Sequence, residues 1–272
     1  MKKTRELIAN YIKQVDAVIE LRDARIPISS QNPEIENLVK DKKRIIILTK
    51  ADLADPKGNV KWIEYFKKQN IEALIMDIRN NKQLKELYSA LEKGFEEKAK
   101  KLEKKGIGSF RRRLMILGIP NVGKSTLINS MAKRKSAEVG NRPGVTKSKQ
   151  WIKLSREMEL LDTPGILWPK FEDKEVAKHL AYTGAIKDEV IDLETLAYNL
   201  IEEMQNNNMG HLLEKRYDIQ LQEQIIDTMD AIGKKRGFLI RGGEIDYSRL
   251  SRSIMDDFRS GKMGRITLEF PK

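Results

Sequence analysis

The chain of 272 residues is long enough for one full α/β domain and a smaller second one, each with its own core. Lys and Arg number 52 against 40 Asp and Glu, and the net charge of +12 is spread along the chain, which favours a polyanionic partner, nucleic acid above all, over a plain solvated basic face. The absence of cysteine excludes disulfides, zinc ribbons and thiol catalysis, and with aromatics at 6% any RNA contact is expected to be led by phosphate instead of base stacking.

At the N-terminus Lys2, Lys3 and Arg5 bring charge, but Leu7-Ile8-Ala9 gives way to Asn10, Lys13 and Gln14, so no secretory leader is expected. Three short apolar runs then read as buried parallel strands: Ala17 to Leu21, Arg44 to Leu48 and Arg113 to Leu117. They are too short to cross a bilayer, and the protein is expected to be cytoplasmic with no membrane partner. Each run ends at a motif. Asp23-Ala24-Arg25-Ile26-Pro27 follows the first, Thr49-Lys50-Ala51-Asp52 the second, and Gly118-Ile119-Pro120-Asn121-Val122-Gly123-Lys124-Ser125 the third. That is where a doubly wound, mostly parallel α/β sheet places its ligands. Between the last two motifs, Leu84 to Lys105 reads as a helical surface connector, followed by Gly106-Ile107-Gly108 and Arg111-Arg112-Arg113. A fourth strand-like run, Met158 to Leu161, precedes Asp162-Thr163-Pro164-Gly165. Beyond it the pattern turns helical. Asp192 can cap a helix with the stripe Leu193, Leu196, Leu200, Ile201 and Met204, and Asp246 can cap one with Leu250, Ile254 and Phe258. The expected division is an α/β domain over residues 1–175 and a small all-α domain over residues 176–272.

Gly118 to Ser125 has the glycine, four residues, then Gly-Lys-Ser, with a strand before and a helix-forming stretch after, as a phosphate-cradling loop requires. Its backbone N–H groups can wrap a β-phosphate, Lys124 can neutralise β/γ charge, and Ser125 can offer a hydroxyl to Mg²⁺. Asp162 can hold Mg²⁺ through water, the Gly165 N–H can meet a γ-phosphate, and Thr146, in the glycine-rich segment 140–146, is the candidate switch hydroxyl completing the Mg²⁺ shell. In Thr49-Lys50-Ala51-Asp52 the Lys50 stem can pack on a purine face while Asp52 accepts hydrogen bonds from guanine N1 and N2, a pair adenine lacks. Thr49 stands where Asn is commoner and can take part of its bracing role. The candidate GTP contacts are thus Thr49, Lys50, Ala51, Asp52, Asn121, Val122, Gly123, Lys124, Ser125, Thr126 and Gly165, with backbone contacts at Asp77 and Ile78. Ile166 stands where many GTPases carry a water-orienting Gln, so hydrolysis by the isolated protein is expected to be slow. Asn121 could hold K⁺ against the phosphates and so assist, or could simply tolerate the loop's dihedrals. Lys124, Thr146, Gly165 and Asn121 are the candidate catalytic residues.

The base-reading motif precedes the phosphate loop, the reverse of the order in an ordinary GTPase. With Asp23 to Pro27, Arg142-Pro143-Gly144-Val145-Thr146 and Asp162 to Phe171, this order resembles that of the circularly permuted GTPases, most nearly the ribosome biogenesis GTPase A (YlqF) type. The resemblance runs over almost the whole chain, including Gly233-Lys234-Lys235-Arg236-Gly237 and Gly264-Arg265-Ile266. It implies a permuted GTPase domain followed by a helical domain. It also implies a monomer using GTP, Mg²⁺ and K⁺ that acts late in assembly of the large ribosomal subunit, through rRNA and ribosomal proteins, and is activated by that subunit and K⁺. Two departures stand out. Such proteins usually begin with a Trp-Phe-Pro-Gly-His segment whose histidine is implicated in hydrolysis, and this chain starts at Met1-Lys2-Lys3 just after its place, so a truncated start or a later initiator Met is expected. His179 is expected to be a helix-surface or packing residue and not a substitute for it. The usual Ser-Ala-like base-wall box is not recognisable around Asp77 to Asn81. Lys98 to Lys105, Arg111 to Arg113, Lys133 to Lys135 and Lys234 to Arg236 are candidate rRNA contacts, while Asp23 with Arg25 is read as either a structural ion pair or a subunit contact. A tRNA-modifying or transport-linked GTPase would show the ordinary motif order. A non-hydrolysing RNA-binding module would show a damaged phosphate loop.

Overall fold

The computed structural model describes residues 9–39, 42–78, 80–106, 110–136, 150–155, 157–162 and 173–271. In chain order the first region contains β1 (Ala17–Asp23), α1 (Pro33–Leu38), β2 (Lys43–Thr49), α2 (Pro56–Lys68), β3 (Glu72–Met76), α3 (Asn81–Glu103), β4 (Arg112–Gly118), α4 (Lys124–Ser136), β5 (Gln150–Lys153) and β6 (Met158–Asp162). The strands form one sheet in the order β3-β2-β1-β4-β6-β5, parallel throughout except for β5, which runs antiparallel to β6. From β1 the chain winds outward through β2 and β3, then returns to place β4 on the other side of β1. The direction of winding therefore reverses between β1 and β4, which opens a crevice at their carboxyl ends.

The three apolar runs form the middle of this sheet because each is covered on both faces. All seven residues of β1 are buried, as are the last five of β2 and of β4. Glu20 and Arg22 are buried within β1 and are paired: the Glu20 carboxylate accepts from Arg22 Nε at 2.8 Å and from Arg44 Nε at 2.7 Å. β3 and β5 are edge strands that the apolar pattern did not single out, since each is short and begins with a polar residue. One expectation needs correction. The segment after residue 80 is helical as expected, but the 23-residue helix α3 is not confined to the surface: its Leu84, Leu87, Leu91 and Phe95 are buried at helical spacing.

The second region is helical: α5 (Lys174–Tyr182), a 3₁₀ turn (Asp188–Val190), α6 (Leu193–Asn206), α7 (Gly210–Tyr217), α8 (Ile225–Arg236) and α9 (Tyr247–Arg259). Asp192 caps α6 by accepting from the Glu194 and Thr195 amides, and Asp246 caps α9 by accepting from the Arg249 amide. Leu200 and Met204 of α6, Leu213 of α7, Ile232 of α8 and Ile254 and Phe258 of α9 share one core. Gly237, at φ 68°, ends α8 in the left-handed conformation that glycine adopts without strain. Arg216 bonds Asp257 at 2.8 and 3.0 Å, and Arg259 bonds Asp188 at 2.8 and 2.7 Å. Among the described residues no helix is long and apolar enough to cross a membrane.

Two compact units account for the chain: Met1–Phe171 together with Glu269–Lys272, and Glu172–Leu268. A single cut after residue 175 would have left the last four residues with the helical region. The buried Glu269 carboxylate instead accepts from the Ile28 and Ser29 amides and from the Ser29 hydroxyl, while its carbonyl accepts from Trp62 Nε1 at 2.9 Å. Glu269→Ala strips several buried donors of one acceptor, and an unfolding-midpoint loss worth about 3 kcal/mol is expected in chemical denaturation followed by tryptophan fluorescence. An unchanged midpoint would mean that water replaces the carboxylate at no cost.

Candidate nucleotide site

The phosphate loop leaves the end of β4 and enters α4 at Lys124, so the first amides of that helix face the crevice edge of the sheet. Two glycines allow the tight path. A Cβ on Gly118 would lie 3.0 Å from the Leu21 carbonyl oxygen and 2.9 Å from Val122 Cγ1. Gly123 has φ 108°, and a Cβ there would meet Ile78 Cδ1 at 2.8 Å. Val122 is buried beneath the loop, and exposed Asn121 has φ 57°, so its dihedral tolerance is in use whatever else its amide does. Lys124 is 9% exposed, and its ammonium donates to the carbonyls of Gly118 and Ile119 at 3.1 and 3.0 Å. Ser125 and Thr126 are exposed in the first turn of α4.

The base-reading motif leaves β2 on the same edge. Thr49 is wholly buried, and its hydroxyl lies 2.7 Å from the Val122 carbonyl and 3.1 Å from the Arg22 carbonyl. One side chain thus ties the end of β2 to the middle of the phosphate loop. Lys50 has φ 55°, Ala51 is buried, and Asp52 is exposed at the turn. Ile78, just past β3, lies against Gly123, while the neighbouring Asp77 amide donates to Gln83 Oε1 at 2.7 Å. Where the base-wall box is not recognisable, this segment reaches the phosphate loop through an apolar contact. Thr49→Val keeps the volume but leaves two buried carbonyls without that donor. A five- to tenfold loss of GDP affinity, about 1–1.5 kcal/mol, is the expected result in a fluorescent-nucleotide titration.

At the end of β1, Asp23 is 1% exposed and takes Arg25 Nε and Nη2 at 3.0 and 2.8 Å, with Lys50 Nζ 3.1 Å from its second oxygen. Burial alone would raise the Asp23 pKa, but the charges of Arg25 and Lys50 outweigh it and hold the carboxyl far below the usual range. The Asp23–Arg25 pair is local in sequence, whereas its third member, Lys50, is brought close only by the β1–β2 register.

Asp162 ends β6, which runs parallel to β4 and brings that backbone to the phosphate-loop edge. The Asp162 side chain, Thr146, Gly165, Ile166 and the remainder of both switch segments lie outside the described residues, as do the side chains of Lys133 to Lys135, Lys98 and Lys101. Of the other basic groups, Arg111 to Arg113 sit at the opposite end of β4 from the site and are engaged with carboxylates. Arg111 lies 2.9 Å and Arg113 3.7 Å from Glu159, and Arg112 lies 3.7 Å from Glu157. Lys235 pairs with Asp218 at 2.6 Å and Arg236 stacks on Tyr217, whereas Lys234, Lys100, Lys104 and Lys105 are exposed. His179 is buried with its ring 2.7 Å from Glu203, a packing residue of the helical unit.

Residues 113–236 match a family model described as 50S ribosome-binding GTPase. The ribosome biogenesis GTPase A of Bacillus cereus is 45% identical over all of this chain and 92% of its own length, and that of Thermotoga maritima is 30% identical over the same shares. The chain belongs to the ribosome biogenesis GTPase A family. A GDP-bound structure of TM YlqF, 28% identical, matches with a TM-score of 0.69 over 97% of this chain and 99% of that one. A crystal structure of GNP-bound YlqF from T. maritima, 27% identical, matches with a TM-score of 0.68 over 99% of each. As a ribosome biogenesis GTPase A family member, the protein is a GTP-binding and GTP-hydrolysing enzyme whose catalytic domain is circularly permuted. The strand carrying the phosphate loop is central in the sheet but fourth in the chain.

Proposed function

We propose that the protein is a GTP-hydrolysing switch required for a late step in assembly of the large (50S) ribosomal subunit, activated by that subunit and by K⁺. The observation that carries this reading is the Thr49 hydroxyl bonded to the Val122 carbonyl, which binds the guanine-reading and phosphate-binding segments into one site despite their reversed order. The names borne by its relatives and by the matched family support the ribosomal setting. A net charge of +12 suits an rRNA partner, and exposed Lys100, Lys104, Lys105 and Lys234 are the best-placed described contacts. Within the site, the exposed Ser125 hydroxyl and the carboxylate of Asp162 on the adjoining strand are hard oxygen donors suited to Mg²⁺, with Thr146 joining them when γ-phosphate is bound. Gly165 reports that phosphate through its amide. Exposed Asn121, held at φ 57°, would offer its side-chain oxygen to K⁺, and the protein would work as a cytoplasmic monomer.

Phosphate release from GTP tests the reading. Turnover in KCl with large subunits should far exceed turnover in NaCl without them. Equal rates would remove both proposed activations and leave an unstimulated GTPase.

A further inference from the structure

We propose that Asp23 is a positioning residue for nucleotide binding, its carboxylate fixing the Lys50 side chain in the pose that covers the purine face. The proposal rests on the reading of Thr49 to Asp52 as the base-reading motif. Asp23 is the last residue of β1 and stands directly opposite Thr49 in the parallel register, so the residue after Thr49 emerges beside it. Its carboxylate takes two bonds from the Arg25 side chain and one from the Arg25 amide, which already balances its charge and much of its bonding capacity. Arg25 alone matches that charge one for one, and the Lys50 ammonium lies 3.1 Å from the carboxylate as a second cation.

Two features of Lys50 give that contact its use. Its backbone sits at φ 55°, a region L side chains rarely adopt and that persists only where the surroundings fix it. Its four-carbon stem has many rotamers, and its ammonium is two residues from Asp52, whose carboxylate has to stay open to guanine. A lysine without an anchor would be drawn to Asp52 and compete with the base. Asp23 takes the ammonium instead and lays the stem along one course. Asp23 itself is held, since its amide donates to the Ser30 hydroxyl at 3.0 Å and that hydroxyl donates to the Ile26 carbonyl at 2.6 Å. Ordering one long side chain in advance corresponds to about tenfold in affinity.

A double-mutant cycle on GDP binding, with a fluorescent guanosine diphosphate and the full chain, provides the test. Lys50→Met keeps the length and apolar surface of the stem and removes the ammonium; Asp23→Asn removes the charge that holds it. Each is expected to weaken binding about tenfold, and the double variant to bind no worse than Lys50→Met alone. Losses that multiply in the double variant overturn the proposal, because Asp23 would then act on the fold and not through Lys50. So does a Lys50→Met protein that binds like the unaltered chain. Thermal unfolding checks that Asp23→Asn still folds around the buried Arg25. If it does not, reductive methylation of the unaltered protein decides: Lys50 labelled about tenfold more slowly than exposed Lys57 and Lys67 supports the anchor, and equal rates refute it. Absence of any GDP binding by the unaltered chain is a separate outcome, which brings down the base-reading assignment and the proposal with it.

Discussion

Lys124→Ala should reduce GTP turnover by about 10²–10³-fold, the usual consequence of removing one preorganised positive group from a transferring phosphoryl. The effect is expected to exceed that of any surface lysine because of where the ammonium sits. Lys124 is 9% exposed at the first position of α4, and its Nζ is bonded to two carbonyls of the loop that would surround the phosphates. A charge held there is poorly screened by water. It is also already oriented, so little reorganisation accompanies phosphate binding. Nucleotide affinity should fall too, and the nucleotide-free chain should lose about 1–3 kcal/mol of stability, since the lost bonds are made to two buried carbonyls. Single-turnover phosphate release, with nucleotide titration and thermal unfolding of the same sample, separates the three quantities. Turnover within threefold of the unaltered protein would remove Lys124 from the site.

Asp52→Asn is expected to exchange one base for another. A carboxylate presents two acceptors, which match the N1 and N2 donors of guanine; an amide presents one acceptor and one donor, which match the N1 donor and C2 carbonyl of xanthine. Guanine affinity should drop by about 10²–10³-fold and xanthosine diphosphate should become the better competitor for a labelled nucleotide. Asp52 is exposed at the turn, while the packing around it is carried by buried Thr49, Ala51 and Ala54, so folding should be unaffected. Retained preference for guanine in the variant would mean that specificity is read elsewhere.

Much of this site was readable in the chain before any coordinates. The three central strands are buried on both faces and hence appear as unbroken apolar runs, and the motifs follow at their carboxyl ends, where local sequence has to satisfy local geometry. Caps were legible for the same reason: Asp192 and Asp246 bond amides two or three residues away. What escaped notice depended on partners distant in sequence. β3 and β5 are strands because of neighbours that supply their ladders, not because of their own composition. The third member of the Asp23 cluster needed the β1–β2 register, and the engagement of Arg111 to Arg113 needed β6 and the turn before it. The helix α3 was recognised as a helix but misjudged as surface, because its many lysines obscured a stripe of four buried apolar residues.

The Glu269 contact has a bearing on how the protein can be taken apart. Residues 172–268 form one uninterrupted stretch, so the helical half can be expressed alone without parting its core. The GTPase half has no such continuous gene segment. A fragment stopping at residue 171 discards the acceptor for Ser29 and for the Trp62 indole, and any comparison of isolated halves would then confound loss of the helices with damage to the nucleotide domain. A fair dissection deletes residues 172–268 and keeps the final four residues joined to the GTPase half.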